Sequence, residues 1–180
     1  MEKTIVAICY DFDKTLSTTD MQAFGFIQDL GLTPDEFWEE TSKFSAATGT
    51  ERILAFLYTM VAQSKKKGIK LTKKYLNEKG KNIQFFKGVD TWFKRINKYG
   101  KDNGVQVEHY IISSGNKEIV EGCKIAKEFK HLFACEFVFG EDGTPIWPKN
   151  TVNFTQKTQY FYRISKNAFD ITDDVAVNEK

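Results

Sequence analysis

Two aspartates and a threonine follow a short apolar run near the start of the 180-residue chain. Asp11, Asp13 and Thr15 come directly after residues 5–10, which have the length and apolar character of a buried strand. Alternation along an extended chain sends both carboxylates to one side, within reach of a small cation or a phosphate group. Ligands of open parallel α/β sheets bind outside the carboxyl ends of the strands, so this position predicts a site. The alternative is structural: an Asx-type turn, or the cap of a helix that begins near residues 17–20.

A second polar group follows the apolar run 105–112, which is also predicted to be a strand. Ser113, Ser114 and Gly115 stand at its end and precede a helix predicted through Ile125. A hydroxyl, a glycine and a helix amino terminus together offer hydrogen-bond donors to an anion. A serine that only caps the helix is the structural alternative.

Lys157 lies in the first turn of an amphipathic helix predicted over residues 155–164, with Thr155 as its expected cap. A lysine at this position is unfavourable against the helix dipole. Such departures from local rules are expected at functional positions. An ordinary exposed lysine is the alternative interpretation.

The pattern Asp11-x-Asp13-x-Thr15-Leu16 after a strand resembles the first motif of the haloacid dehalogenase-like phosphohydrolases. The resemblance implies that Asp11 attacks phosphorus, that Asp13 acts as general acid and base, and that Thr15 steadies both. It also implies Mg²⁺ as the cofactor, held by Asp11 and by the backbone carbonyl of Asp13. The expected activity is hydrolysis of a small phosphorylated metabolite through an aspartyl-phosphate.

The later polar residues match the second and third motifs of the same family. By resemblance, Ser113 hydrogen-bonds a phosphoryl oxygen, and Ser114 and Gly115 lend backbone donors. Lys157 then neutralises the attacked phosphate and orients the nucleophile. These residues complete the candidate catalytic and phosphate-binding set.

Between the first two motifs, residues 19–84 are predicted to be all helical. Apolar residues recur at helical spacing, Gly31 ends one helix, and Thr33-Pro34-Asp35-Glu36 is a good start for the next. A third helix is predicted from Thr50 to Gly68. A helical insertion at this place matches the cap of the phosphoserine-phosphatase-like branch.

The fold class is therefore expected to be α/β, with a Rossmann-like three-layer core around a parallel sheet. The core is assigned to residues 1–18 and 85–180, and the helical cap to residues 19–84. A third strand is predicted over residues 133–139, followed by a surface hairpin that reaches Trp147.

The family's fourth motif, a strand followed by two closely spaced acids, supplies the remaining metal carboxylates and is not found. Asp173 and Asp174 follow a helix instead, with no strand before them and no room for a helix after them. The core is thus expected to be incomplete at its carboxyl end, as a piece of a longer chain or as a degenerate relative. The first strand would then lie at an exposed sheet edge, open to self-association.

Of two other function classes, one stays open and the other is disfavoured. The alternative to an enzyme is a non-catalytic phosphate-binding or protein-interaction domain of the same fold. A receiver-like phospho-acceptor is disfavoured, because receivers lack a helical insertion after the first strand.

Composition indicates an ordinary globular chain. The net charge of +2 argues against bulk binding to nucleic acid, and no apolar stretch is long enough to cross a membrane. Met1 to Thr4 lead into a strand rather than a signal peptide, which predicts a cytoplasmic protein. Cys9, Cys123 and Cys135 are expected to be reduced core residues.

One stretch of the predicted cap is strongly basic. A solvated helix face is the plain interpretation, and attraction of an anionic substrate group, through Lys70 and Lys74 in particular, is the functional one. The lysines concerned are Lys65, Lys66, Lys67, Lys70, Lys73, Lys74, Lys79 and Lys81.

Overall fold

A computed structural model describes residues 4–179, so the prediction for Met1, Glu2 and Lys3 lies outside it. Its sheet contains four strands in the order β1-β2-β3-β4. The strands are β1 (Ile5–Tyr10), β2 (Gln106–Asn116), β3 (His131–Phe139) and β4 (Pro145–Asn150). The first three are parallel, and β4 returns antiparallel to β3. The predicted α/β fold with a mainly parallel sheet is confirmed.

Between β1 and the next core helix the chain is helical, as predicted. Elements in this stretch are a 3-10 helix (Met21–Ala23), α1 (Phe26–Asp29), α2 (Pro34–Thr48), α3 (Arg52–Lys66) and α4 (Lys73–Gly80). We call residues 21–80 the helical segment. Its treatment as a separate cap domain stays a prediction.

Local sequence signals account for the helix ends in this segment. The Thr33 hydroxyl accepts the Glu36 N–H (3.2 Å), and a Glu36 carboxylate oxygen accepts the Thr33 N–H (2.7 Å), which is a complete capping box. Gly49 closes α2 at φ +71°, a backbone conformation that favours glycine. The next helix, α3, is capped by the Glu51 carboxylate rather than by Thr50.

The remaining helices follow the strands. They are α5 (Val89–Asp102), α6 (Lys117–Glu121), a 3-10 helix (Ala126–Glu128), α7 (Gln156–Ser165) and α8 (Asp174–Glu179).

Three boundaries differ from the sequence predictions. The strand expected to stop at Ile112 continues to Asn116, with a register shift in its last part. The following helix is correspondingly short, because α6 ends at Glu121. A helix does follow Asp173, since α8 begins at Asp174, so the prediction that none could form there was wrong.

Side chains join β1, β2 and α5 through a chain of hydrogen bonds. The Trp92 indole N–H donates to the Tyr10 hydroxyl (2.8 Å), which donates to Nδ1 of His109 (2.9 Å). Nε2 of His109 lies 2.9 Å from Oδ1 of Asn97, and an acceptor at this position favours the tautomer with its proton on Nε2. Burial lowers the pKa of His109 and favours this neutral form.

The helical segment meets the core where α4 packs on α6. A Cβ atom at Gly80 would overlap the Ile119 carbonyl, and one at Gly122 would overlap the Asn77 carbonyl. The two backbones approach this closely only because both positions are glycine. The side chain of Asn77 also donates to the Glu118 carbonyl oxygen.

All three cysteines are free thiols, with Cys123 and Cys135 buried and Cys9 half-buried. The prediction of reduced core cysteines therefore agrees with the structure. In residues 4–179, none of the helices has the length and apolar character that a membrane crossing requires.

Candidate active site

The carboxyl ends of β1 and β2, the start of α7 and the helical segment surround a cavity of about 710 Å³. Five residues singled out from the sequence line it: Asp11, Asp13, Ser114, Gly115 and Lys157. Asp11 and Lys157 are 146 positions apart in sequence, yet the fold brings them into contact.

Both carboxylate oxygens of Asp11 have a partner. The ammonium group of Lys157 donates to Oδ1 (2.8 Å), and the hydroxyl of Thr15 donates to Oδ2 over a longer distance (3.4 Å). The Asp11 side chain is 44% exposed, and ion pairs this open to solvent contribute about 0–1 kcal/mol to stability. The pair therefore adds little to the stability of the fold, but it fixes the orientation of the Asp11 carboxylate at the cavity.

Asp13 lies in a different environment from Asp11. Its Oδ1 accepts the Met21 N–H (2.8 Å) at the start of the 3-10 helix, although the N-cap position of that helix is Asp20, so Asp13 also has a structural role. Burial raises the pKa of Asp13 to about 7; the Met21 N–H opposes this shift, and the negative charges of Asp20 and Asp11 add to it. A carboxyl group with this pKa can hold or release a proton near neutral pH.

The turn after β1 is what places these two carboxylates. The chain leaves extended conformation at Asp13, so simple strand alternation does not extend this far. Lys14 adopts φ +58°, which is uncommon for a residue with a side chain. Its ammonium group is held by Asp20 (2.9 Å), a cavity residue that the sequence analysis missed.

The end of β2 forms the wall opposite Asp13. Ser113 is fully buried and its Oγ accepts the Gly115 N–H (3.0 Å), so it is not among the residues that line the cavity. A Cβ atom on Gly115 would overlap the side chain of Met21 and lie 2.9 Å from Oδ2 of Asp13. Only glycine lets the β2 backbone approach the carboxylate so closely.

Lys157 is positioned by the start of α7, although not by the predicted cap. The side chain of Thr155 makes no capping hydrogen bond. Instead Oδ1 of Asn153 accepts the N–H groups of Thr155 (3.1 Å) and Gln156 (2.9 Å), and Oε1 of Gln156 accepts the Asn153 N–H (3.1 Å). This reciprocal pair fixes the first turn that carries Lys157.

The helical segment contributes cavity residues that sequence reasoning did not identify: Gln22, Trp38, Thr41, Thr50, Glu51, Arg52, Ile53 and Phe56. Arg52 is the cation among them, whereas Lys70 and Lys74 do not line the cavity. The expectation that these two lysines face the substrate thus has no support in the geometry. The only sequence feature that could have pointed to Arg52 is that it is an isolated arginine at the start of a predicted helix.

Asp11 and Asp13 are the predicted metal ligands of the cavity. Among residues 4–179, no three His, Cys, Asp or Glu side chains are grouped so that they could hold a metal ion. Asp11 and Asp13 do supply oxygen ligands of the kind that Mg²⁺ takes. Mg²⁺ commonly binds proteins through only one or two carboxylates, with the substrate phosphate and water completing its shell. The donor set therefore fits Mg²⁺ in type.

Comparison with known sequences gives a limited result. No protein-family model matches the chain. An uncharacterized protein of Borreliella burgdorferi is 26% identical in an alignment of 194 positions that spans 93% of this chain and 67% of that protein.

Solved structures are more informative about the fold. A haloacid dehalogenase family hydrolase of Salmonella enterica serovar Typhi matches 89% of the chain at a TM-score of 0.63 and 18% identity. A substrate-bound phosphoserine phosphatase matches 92% of the chain at a TM-score of 0.62 and 18% identity. A phosphoserine phosphohydrolase-like protein of Francisella tularensis matches 83% of the chain at a TM-score of 0.52 and 19% identity.

The matched regions make up 51%, 73% and 65% of those three proteins, so the chain spans about half the length of the Salmonella hydrolase. Similarity at these identities concerns the fold. The fold of this chain is that of the haloacid dehalogenase-like hydrolases, and it is phosphoserine-phosphatase-like.

Proposed function

We propose that this chain is a Mg²⁺-dependent phosphomonoester hydrolase that acts on a small phosphorylated metabolite through an aspartyl-phosphate. The observation that carries the proposal is the contact of Lys157 with Asp11 (2.8 Å) at the mouth of a cavity that Asp13 also lines. Residues 1–18 and 85–180 would form the catalytic core, and residues 19–84 its cap.

In the first step, a carboxylate oxygen of Asp11 forms a bond to phosphorus while the bond from phosphorus to the leaving oxygen breaks. Asp13 gives its proton to that leaving oxygen. The raised pKa of Asp13 supports this role, because the group is still partly protonated near pH 7.

In the second step, the Asp13 carboxylate takes a proton from a water molecule whose oxygen attacks phosphorus. The bond between phosphorus and Asp11 breaks, inorganic phosphate leaves, and Asp13 is protonated again. Lys157 and the N–H group of Ser114 would bind the phosphoryl oxygens, while Thr15 orients Asp11 and the Ser113 hydroxyl holds the Gly115 N–H.

Mg²⁺, when bound, would neutralise charge on the phosphoryl oxygens. Asp11 and the backbone carbonyl of Asp13 are the groups of this chain that would hold it. The alternative function is a non-catalytic phosphate-binding or protein-interaction domain of the same fold.

The test is hydrolysis of p-nitrophenyl phosphate with and without Mg²⁺, by the chain and by three variants. Asp11→Asn is expected to lower turnover to background, and Lys157→Met to lower kcat by about 10²-fold, as for other preorganised charge-stabilising groups. Asp102→Asn, which removes an exposed carboxylate at the end of α5, should keep full activity.

Turnover that survives Asp11→Asn would contradict the mechanism. Phosphate esters that bind without any turnover would support the binding-domain alternative instead.

A further inference from the structure

The cavity is larger than a phosphoryl group requires. Its volume of about 710 Å³ is in the range of pockets that hold whole small molecules. Asp11, Asp13 and Lys157 are three of the residues that line it. The remaining lining residues are available to the part of the substrate that leaves as an alcohol, and they should define that alcohol.

Phe154 is an unusual member of this lining. Its side chain is 87% exposed, although it stands three residues before Lys157 and borders the cavity. The reciprocal hydrogen bonds between Asn153 and Gln156 hold the backbone on both sides of it. The benzyl side chain is thus presented at a defined place on the rim, and a ligand that covered it would bury its apolar surface.

The helical segment contributes aromatic residues to the same cavity. Trp38 is half-buried and packs against the buried Phe56, with ring centroids 5.6 Å apart and planes inclined by 42°. Trp38 and Phe56 are both among the residues that line the cavity. Two aromatic side chains of the helical segment therefore line the cavity that Phe154 borders.

We propose that the leaving group of the substrate is a planar aromatic or heteroaromatic alcohol, which contacts Phe154 and Trp38. This inference rests on the proposed phosphatase function and specifies its substrate class. Phe154 is then a specificity-determining residue that contacts the ring and not the phosphate. Ring contacts with aromatic side chains contribute beyond the area they bury, which gives the selectivity.

The experiment compares three ligands that carry the same phosphate: phenyl, cyclohexyl and ethyl phosphate. Turnover is measured with the unaltered chain, and affinity is measured by calorimetry with Asp11→Asn, which cannot form the covalent intermediate. Both measurements are repeated after Phe154→Ala. Phe161→Ala is the matched control, because Phe161 is an exposed phenylalanine (53%) on α7 that does not line the cavity.

Phenyl phosphate is expected to bind about tenfold more tightly than cyclohexyl phosphate, the size-matched ring that is not planar. Phe154→Ala should weaken phenyl phosphate binding and lower its kcat/KM by a similar factor, with ethyl phosphate unchanged. Phe161→Ala should change neither. Because Phe154 is so exposed, its replacement leaves the fold intact.

The outcomes separate the inference from the function on which it rests. Equal affinity for phenyl and cyclohexyl phosphate, or equal effects of Phe154→Ala on all three ligands, would overturn the inference even if turnover depends on Asp11. Selective loss of phenyl phosphate binding without any turnover would support the ring site and overturn the hydrolase function.

Discussion

Three aspartates border the cavity, and their partners differ. Asp11 is paired with Lys157, Asp20 is paired with Lys14, and Asp13 accepts only a backbone N–H among the hydrogen bonds of the described residues. The carboxylate without a cation is the one whose pKa is raised to about 7. Distinct environments for neighbouring carboxyl groups are how a site obtains a nucleophile and a proton donor from the same residue type.

This assignment predicts the effect of removing the charge of Asp20. In metal-free protein, the Asp13 carboxyl should titrate near pH 7, and Asp20→Asn should lower that midpoint. The substitution deletes a negative charge that raises the pKa and frees Lys14, whose positive charge lowers it. Carboxyl-carbon NMR measures the midpoint. Asp35→Asn, an exposed site in α2, is the control, and a midpoint that rises would contradict the electrostatic account.

The same raised pKa has a consequence for stability. Between the ordinary value of 3.8 and about 7, the folded chain holds a proton on Asp13 that the unfolded chain has released. The free energy of unfolding therefore falls as the pH rises through this window, as far as Asp13 contributes. Denaturant titrations at several pH values should show a smaller decrease for Asp13→Asn.

Gly115→Ala tests the close approach of β2 to Asp13. The added methyl group would lie 2.9 Å from Oδ2 and overlap Met21, so the carboxylate must move. A displacement of about 1 Å costs roughly 10²-fold in rate at other active sites, and we expect a loss of this order in kcat. Gly140→Ala, in the β3–β4 hairpin, should have no such effect. Unchanged kcat for Gly115→Ala would show that Asp13 is not held as described.

At the scale of elements, the N-terminal cap of a helix positions a functional side chain. Asn153 and Gln156 define the first turn of α7, and this turn carries Lys157 towards Asp11. An N-terminal lysine gains nothing from the helix dipole, so its place depends on this local geometry.

Replacing the cap should therefore affect both stability and activity. Asn153→Ala removes the acceptor of two N–H groups and is expected to cost about 1 kcal/mol of unfolding free energy. It should also lower kcat, since Lys157 loses its fixed turn. Thr155→Ala is the matched control, because Thr155 makes no capping bond. Chemical denaturation and steady-state kinetics measure the two effects, and equal behaviour of the variants would contradict the assignment.

Sequence reasoning succeeded where the determining interactions are local. Three correct predictions depend on residues within a few positions of one another: the capping box of Thr33 and Glu36, the first strand and the amphipathic helix α7. It failed at Asn116, because the end of β2 is set by pairing with Cys135 of β3. It also predicted Thr155 as the cap, whereas Asn153 accepts the N–H groups of the first turn; Thr and Asn are both good cap residues, so only the observed turn identifies Asn153.

The candidate site was predictable in part for the same reason. The spacing of the first motif identified Asp11, and the first turn of the predicted helix identified Lys157, but their contact depends on the complete fold. Arg52 and Phe154 could not be found from spacing, because neither belongs to a local pattern. They line the cavity only through the packing of the helical segment and of the loop before α7.

At the scale of the whole molecule, β1 forms an open edge of the sheet. Within the described part of the chain β1 pairs only with β2, and Ile5 and Val6 are 54% and 43% exposed. The missing fourth motif predicted that the first strand would lie at an exposed edge. An unpaired strand edge with apolar side chains can pair with another strand.

We expect weak self-association of the 180-residue chain through β1. Six paired residues bury less surface than a standard stable interface, so dimers should form only at high concentration. Sedimentation velocity over a range of concentrations measures this. Val6→Lys should abolish it, because edge lysines oppose strand pairing. Val138→Lys, on the interior strand β3, is the control. A chain that stays monomeric throughout would contradict the expectation.

The helical segment leaves and rejoins the sheet at nearly the same point. Ser17 and Phe85 form an isolated bridge, and the Thr18 N–H donates to the Gln84 carbonyl (3.0 Å). Segments whose ends meet can be lengthened, shortened or exchanged with little disturbance to the rest of a domain. If the proposed function holds, the part that would contact the leaving group can therefore be exchanged while the strand ends that carry Asp11 and Ser114 keep their geometry, so new substrate ranges would be accessible without rebuilding the chemistry.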